Sequence, residues 1–190
     1  MRIFMTQTPE HLQDAEQILS QSGFATGQVW YHGTSSALVD SIVENGLKRS
    51  GDQAMKQAAK QTMATIGNSY TESIEPVFLT QSKELAYYWA ERTVRDRSVR
   101  FEGEEQPVVI AINLPDEINA KVRPDVGAAS LLLIEGEKYL PFVAAIYERC
   151  GLAAPDIDLR SADRMAYLNI LGMAYLDQDV APEQLQPITS

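Results

Sequence analysis

Two hydrophobic periods alternate along this chain, and the switches between them predict its elements. Thr8 and Pro9 read as an N-cap and a first helical position. Leu12, Ala15, Ile18 and Leu19 then share one helical face, and Gly23 ends the run. Residues 28–32 (QVWYH) read as a short buried strand. Gly33-Thr34-Ser35 breaks it and caps a helix to Asn45 with Leu38, Val39, Ile42 and Val43 inward. Gly46 then stands as the glycine just past a helix end, with Leu47 as the apolar contact that follows. Residues 52–66 suit an amphipathic helix or a mobile lid. Val77–Thr80 is a second short strand, and Ser82 caps a helix carrying Leu85, Ala86, Tyr88 and Trp89. Residues 107–114 (PVVIAINL) are β-branched and continuous, which predicts a strand buried on both faces, stopped by Pro115. Residues 130–150 fit helix and strand alike. Ser161-Ala162-Asp163 caps a helix over 163–172, and the tail DVAPEQLQPI reads as a turn and an edge strand. Short strands, several helices and no βαβ rhythm predict an α+β fold.

The chain has 190 residues with no internal repeat and no long linker, which predicts one domain. Its parts are an N-terminal helical segment over 1–27 and a core over 28–190. At 45% hydrophobic and 22% charged, the composition excludes a disordered tail, a collagen-like repeat and a coiled-coil rod. A single cysteine excludes a disulfide scaffold and a Cys-rich zinc module. The two histidines, His11 and His32, argue against a His-based metal centre, so no metal is expected. The net charge of −10 argues against a general polyanion binder, and the sequence carries no strong nucleic-acid signature. The apolar runs Leu131–Ile134 and Tyr139–Tyr147 fall far short of the roughly 18 residues a membrane span needs. The N-terminus lacks the apolar core of a signal peptide. These features predict a soluble protein of a reducing compartment, most simply the cytoplasm, with export as an effector the alternative.

The stretch VWYHGTSSALVDSIVENGLK, residues 29–48, carries the most chemistry. A strand delivers His32 to its end, Gly33 lets a ligand approach the backbone, and Thr34 and Ser35 open a helix whose free N–H groups suit polar or anionic ligands. A histidine so placed can hydrogen-bond a sugar hydroxyl without a charge. The plainer alternative is a half-buried histidine tying its ring to a backbone carbonyl. Tyr87, Tyr88 and Trp89 point in different directions on a helix, so at most two can face a cleft, and core packing is the other reading. Arg92, Arg95, Arg97 and Arg100 form a basic run that either meets a phosphate or is a solvated face offset by Glu102, Glu104 and Glu105. Cys150 reads as buried filler and His11 as a surface residue of the first helix.

Tyr31-His32-Gly33-Thr34, followed by Ile42 and Gly46-Leu47, resembles the first motif of the ADP-ribosyltransferase fold, in its His-Tyr-Glu branch of poly(ADP-ribose) polymerases and diphtheria-like toxins. VFLTQSKELAYYWA, residues 77–90, is similar to the second block of that family, with Val77–Thr80, Ser82-Lys83, Ala86 and Tyr88 in the matching order. The likeness covers about half the chain. It implies a single domain of split mixed β-sheets with flanking helices, and NAD as substrate. It assigns ribose positioning to His32 and the nicotinamide amide to the Gly33 backbone, with Thr34 beside them. It assigns ring stacking to Tyr88, with Tyr87 the neighbouring register. The reaction implied is cleavage of the nicotinamide–ribose bond, with transfer of ADP-ribose to an unidentified protein, nucleic-acid or small-molecule acceptor, or hydrolysis of NAD. A carboxylate would stabilise the positive charge that develops on the sugar. Two registers compete for it. IEGEKYLPF makes Glu137 the catalytic candidate with Glu135 behind it. AYLDQDVAPEQLQPI, read as the last strand and its turn, puts the position at Met173 or Ala174, where no acid stands, and leaves Asp177 as a substitute. That second register favours a degenerate binding or regulatory module. A tRNA 2′-phosphotransferase shares a similar first motif but needs a third histidine, which this acidic chain lacks.

Overall fold

The computed structural model describes residues 7–65, 67 and 74–190, apart from the side chains of residues 129, 130, 134, 135 and 137. The order is α1 (Ala15–Ile18), β1 (Leu19–Ser20), β2 (Gly23–Phe24), β3 (Val29–Ser35), α2 (Ser36–Asn45), α3 (Gln53–Thr65), β4 (Val77–Leu79) and α4 (Lys83–Ser98). There follow β5 (Pro107–Asn113), α5 (Asp116–Asn119), β6 (Arg123–Pro124), α6 (Ala129–Arg149), α7 (Arg164–Asn169), β7 (Ala174–Leu176) and β8 (Leu185–Pro187). Helices and strands are thus mixed along the chain, and the strands form several small sheets.

Two three-stranded sheets meet at one point. The first has the order β3-β5-β8 and the second β4-β7-β6, and every strand pairing among the described residues is antiparallel. The expected mixed sheets are corrected on this point, because among the described residues no strand pairs with a neighbour running in the same direction. The sheets touch through Tyr31 and Thr80, each N–H donating to the other's carbonyl at 2.8 and 3.0 Å. Strand β5 earns its continuous apolar run. Ile110 and Ile112 enter the core between the sheets, while Val109, on the other face, packs against Ala86 and Tyr87 of α4. The inter-sheet core also takes Trp30, Val77, Leu79, Ala174 and Leu176, and a second core lies between α4, α6 and α7.

Several local expectations change. The single N-terminal helix is instead a short 3-10 turn at Glu10–Leu12, the one-turn α1 and the β1–β2 hairpin. Asp14 is drawn away to the start of α4, where its carboxylate accepts from Ser82 Oγ (2.9 Å) and the Lys83 N–H (2.8 Å), and Leu19 goes extended to pair with Phe24. Strand β3 does not stop at His32. Pairing with β5 carries it through Gly33 and Thr34 to Ser35, opposite Pro107. Ser35 then caps α2 by accepting from the Ala37 N–H, and Gly46 ends it at φ 87°. Ile42 reaches the core, but Val43 is 48% exposed, so the apolar stripe of α2 is narrower than the sequence pattern. Residues 130–149 resolve as part of α6, which carries Pro141 inside it and ends before Cys150, and the helix expected over 163–172 spans only Arg164–Asn169.

Candidate functional site

Among the described residues the Tyr31–Thr80 pair is the only ladder pair between β3 and β4, and the gap in the ladder beyond it is where His32 and Gly33 stand. In an antiparallel strand the N–H and C=O of one residue point to the same edge, and the edge alternates along the chain. Both groups of Tyr31 bond Thr80, so both groups of Gly33 face the same side, toward β4. A continued ladder would pair Gly33 with Phe78. Instead the Phe78 carbonyl accepts a hydrogen bond from His32 Nδ1 at 2.7 Å.

That bond sets the chemistry of the ring. A carbonyl only accepts, so Nδ1 carries the proton and Nε2 keeps a lone pair. Burial pushes the His32 pKa below its ordinary value, and the Phe78 carbonyl opposes the shift. The ring is therefore neutral at pH 7, half-buried at the gap, and its free nitrogen accepts hydrogen bonds. The ring is tied to a backbone carbonyl, as the plainer reading expects, and the tie leaves the outer nitrogen available to a hydroxyl.

Gly33 is a glycine for a reason the sequence does not show. A Cβ there would stand 2.0 Å from the Ala86 carbonyl oxygen and 2.6 Å from the Ala90 nitrogen, so β3 and α4 pack backbone to backbone. Side chains alternate along β3. Tyr31, Gly33 and Ser35 therefore face α4, while Trp30, His32 and Thr34 face the inter-sheet core.

This geometry decides the fate of the aromatic candidates. With Ala86 and Ala90 seated on β3, position 88 lies about 200° round the helix from position 86. Tyr88 thus turns away from His32. It is 5% exposed, and its ring packs against Trp89, Tyr139 and Phe142 at centroid distances of 5.0–5.2 Å. Tyr87 is also buried, with Leu12, Val109 and Tyr31. The structure does not bring either tyrosine to His32. Thr34 is buried at 2% exposure within the strand. The start of α2 is engaged as well, since Ser35 Oγ donates to Glu105 and the Gln106 N–H donates to Ser36 Oγ. The open helix N-terminus expected at Thr34–Ser35 is corrected accordingly.

No protein-family model matches this chain, and no curated protein matches it.

The carboxylate candidates divide. Glu135 and Glu137 lie in α6, a helix rather than a strand, and their side chains fall outside the described residues. In the competing register, Met173 and Ala174 are buried in apolar cores at 6% and 1% exposure. Asp177 is exposed and lies 3.6 Å from an Arg49 guanidinium nitrogen. The basic run also divides. Arg97 is buried and pairs with Asp52 (2.6 Å) and Glu105 (2.7 Å), Arg92 meets Asp96, and Arg100 donates to Thr62. The phosphate reading of Arg97 gives way to an internal ion-pair hub. Cys150 is half-buried against the α4–α6 core with its pKa raised by burial, and His11 is exposed.

Phe78 is the residue the sequence reading missed. The Tyr31–Thr80 register puts its side chain on the same face as Gly33, and it is 46% exposed between the buried Val77 and Leu79. A large aromatic at the outward position of an otherwise buried strand was the available signal.

Proposed function

We propose that the chain is an ADP-ribosyltransferase-fold protein that binds NAD in the gap between β3 and β4 and cleaves its nicotinamide–ribose bond. The observation that carries this reading is the neutral His32, fixed through Nδ1 with Nε2 as a free acceptor, beside a glycine whose N–H and C=O face the same gap. One flat carboxamide needs a paired acceptor and donor, which one residue of an open strand edge supplies. A ribose hydroxyl needs an acceptor that stays uncharged. Phe78 offers the flat apolar face on which a nicotinamide ring can lie, the role the resemblance gives to Tyr88. The split pair of sheets agrees with the fold that the resemblance implies.

In the reaction, the bond from the ribose C1′ to the nicotinamide nitrogen breaks and its electron pair leaves with neutral nicotinamide. Water or the acceptor's nucleophile then attacks C1′ and loses its proton. His32 holds the ribose and Gly33 holds the leaving group in line, while the carboxylate that the resemblance calls for is left unassigned, because α6, which carries Glu137, packs on the face of α4 turned away from β3.

Incubation of the purified protein with NAD, with nicotinamide followed by proton NMR, tests this. Release by the wild type and none by His32→Ala, with an unchanged melting temperature, supports the reading. Equal release by both proteins contradicts it.

One observation favours a second reading, a binding module without turnover. The β7 position at which the competing register places the acid is apolar and buried. That reading predicts NAD binding lost in His32→Ala and no nicotinamide from either protein.

A further inference from the structure

The buried Arg97 is not part of the gap, yet it joins both the gap's strands and α3. Its Nε donates to Glu105, which accepts from Ser35 Oγ, and Ser35 ends β3 two residues past Gly33. Its other arm donates to Asp52 Oδ2, while Asp52 Oδ1 accepts from the Met55 N–H and so caps α3. The chain entering α3 is also tied to β4. Ser50 donates its N–H to the Glu75 carbonyl at 3.0 Å, and Ser50 Oγ accepts from the Glu75 N–H, three residues before Phe78. Residues 50–52 therefore cross from the β4 side of the open end to the β3 side. Ser50 makes that crossing at φ 53°, the only non-glycine positive φ among the described residues. Such a backbone persists only where its surroundings over-determine it. Beyond this junction α3 buries no side chain, and farther along it Arg100 donates to Thr62.

We infer that Asp52 and Arg97 are positioning residues that seat α3 across the open end of the β3–β4 gap and so retain the ligand held there. This rests on the reading of the gap as an NAD site. A 13-residue helix without buried side chains is marginal by itself, so one partly buried ion pair weighs heavily in whether it stays docked.

Asp52→Asn is the clean test. Asn caps a helix as well as Asp does, so α3 keeps its cap, and Arg97 keeps Glu105. Amide hydrogen exchange of α3 and NAD affinity by calorimetry are measured on wild type and variant. The expected result is exchange across α3 faster by about fivefold. NAD affinity falls several-fold, and exchange in β3 and β5 is unchanged. Equal α3 exchange, or faster exchange with equal NAD affinity, overturns the inference. Failure of the wild type to bind NAD contradicts the NAD reading instead. The exchange data then judge the seating of α3 alone, faster exchange supporting it and equal exchange overturning it.

Discussion

Gly33 and His32 are neighbours with opposite constraints. Gly33 is held from one side by the backbone of α4, so any side chain there must push the helix away from the strand. Overpacking of this kind costs about 1–3 kcal/mol. Gly33→Ala is expected to lose about that much in denaturant unfolding and to lose NAD binding with it. An unchanged stability would show that α4 does not approach β3 as closely as described. His32 is constrained through its protonation. Its folded-state pKa is lowered, so below the ordinary histidine range the unfolded chain takes up a proton that the folded chain resists. The stability this neutral ring contributes is present above pH 6.5 and is lost as pH falls through the lowered value. His32→Gln is expected to flatten the fall of melting temperature with acid in that window. Glu84 has the opposite sign. Burial raises its pKa despite the bond from Arg149, so its carboxylate weakens the fold as pH rises through the raised value. Glu84→Gln is expected to match wild type near pH 4 and to be at least as stable at pH 8. A variant clearly weaker at pH 8 would mean that the Arg149 pair outweighs the burial. At this scale the sequence was informative where chemistry is local. His32 and Gly33 stand at the gap, but the reason for Gly33 lies 53 residues away in Ala86, which no local pattern reports.

Among elements, the legible ones are those whose pattern and caps agree. β5, the Ser82 cap of α4 and the Gly46 end of α2 all follow from residues within a few positions. The N-terminal helix did not, because Asp14 serves α4 rather than its own turn. Residues 130–150 were ambiguous because they are apolar on most sides, as a helix lodged among α4 and α7 must be. The rotation of α4 was also hidden in the sequence. Once Ala86 and Ala90 sit on Gly33, the two tyrosines are committed to packing, and an aromatic wall at the gap has to come from β4. Phe78→Ala is accordingly expected to weaken NAD binding about tenfold, the loss of one aromatic stacking face. Its effect on folding should be small, because the ring is already half exposed. A Tyr87 or Tyr88 truncation should instead cost stability first.

For the whole molecule, the decisive feature is that two antiparallel sheets are joined by one residue pair and then part. The core of Trp30, Ile110, Ile112, Val77 and Leu79 packs between them, and among the described residues the strand edges at Gly33 and Phe78 make no ladder bond to each other. Such a gap is a standing donor and acceptor pair with a neutral histidine at its margin. The nitrogen spectrum of the His32 ring, recorded with and without NAD, reads that claim most directly, because the only other histidine, His11, is exposed and serves as an internal control. The account predicts a neutral ring protonated on Nδ1 at pH 7, with its Nε2 signal shifting as NAD is added while His11 stays still. A His32 ring protonated on Nε2, or one unmoved by millimolar NAD, would contradict it.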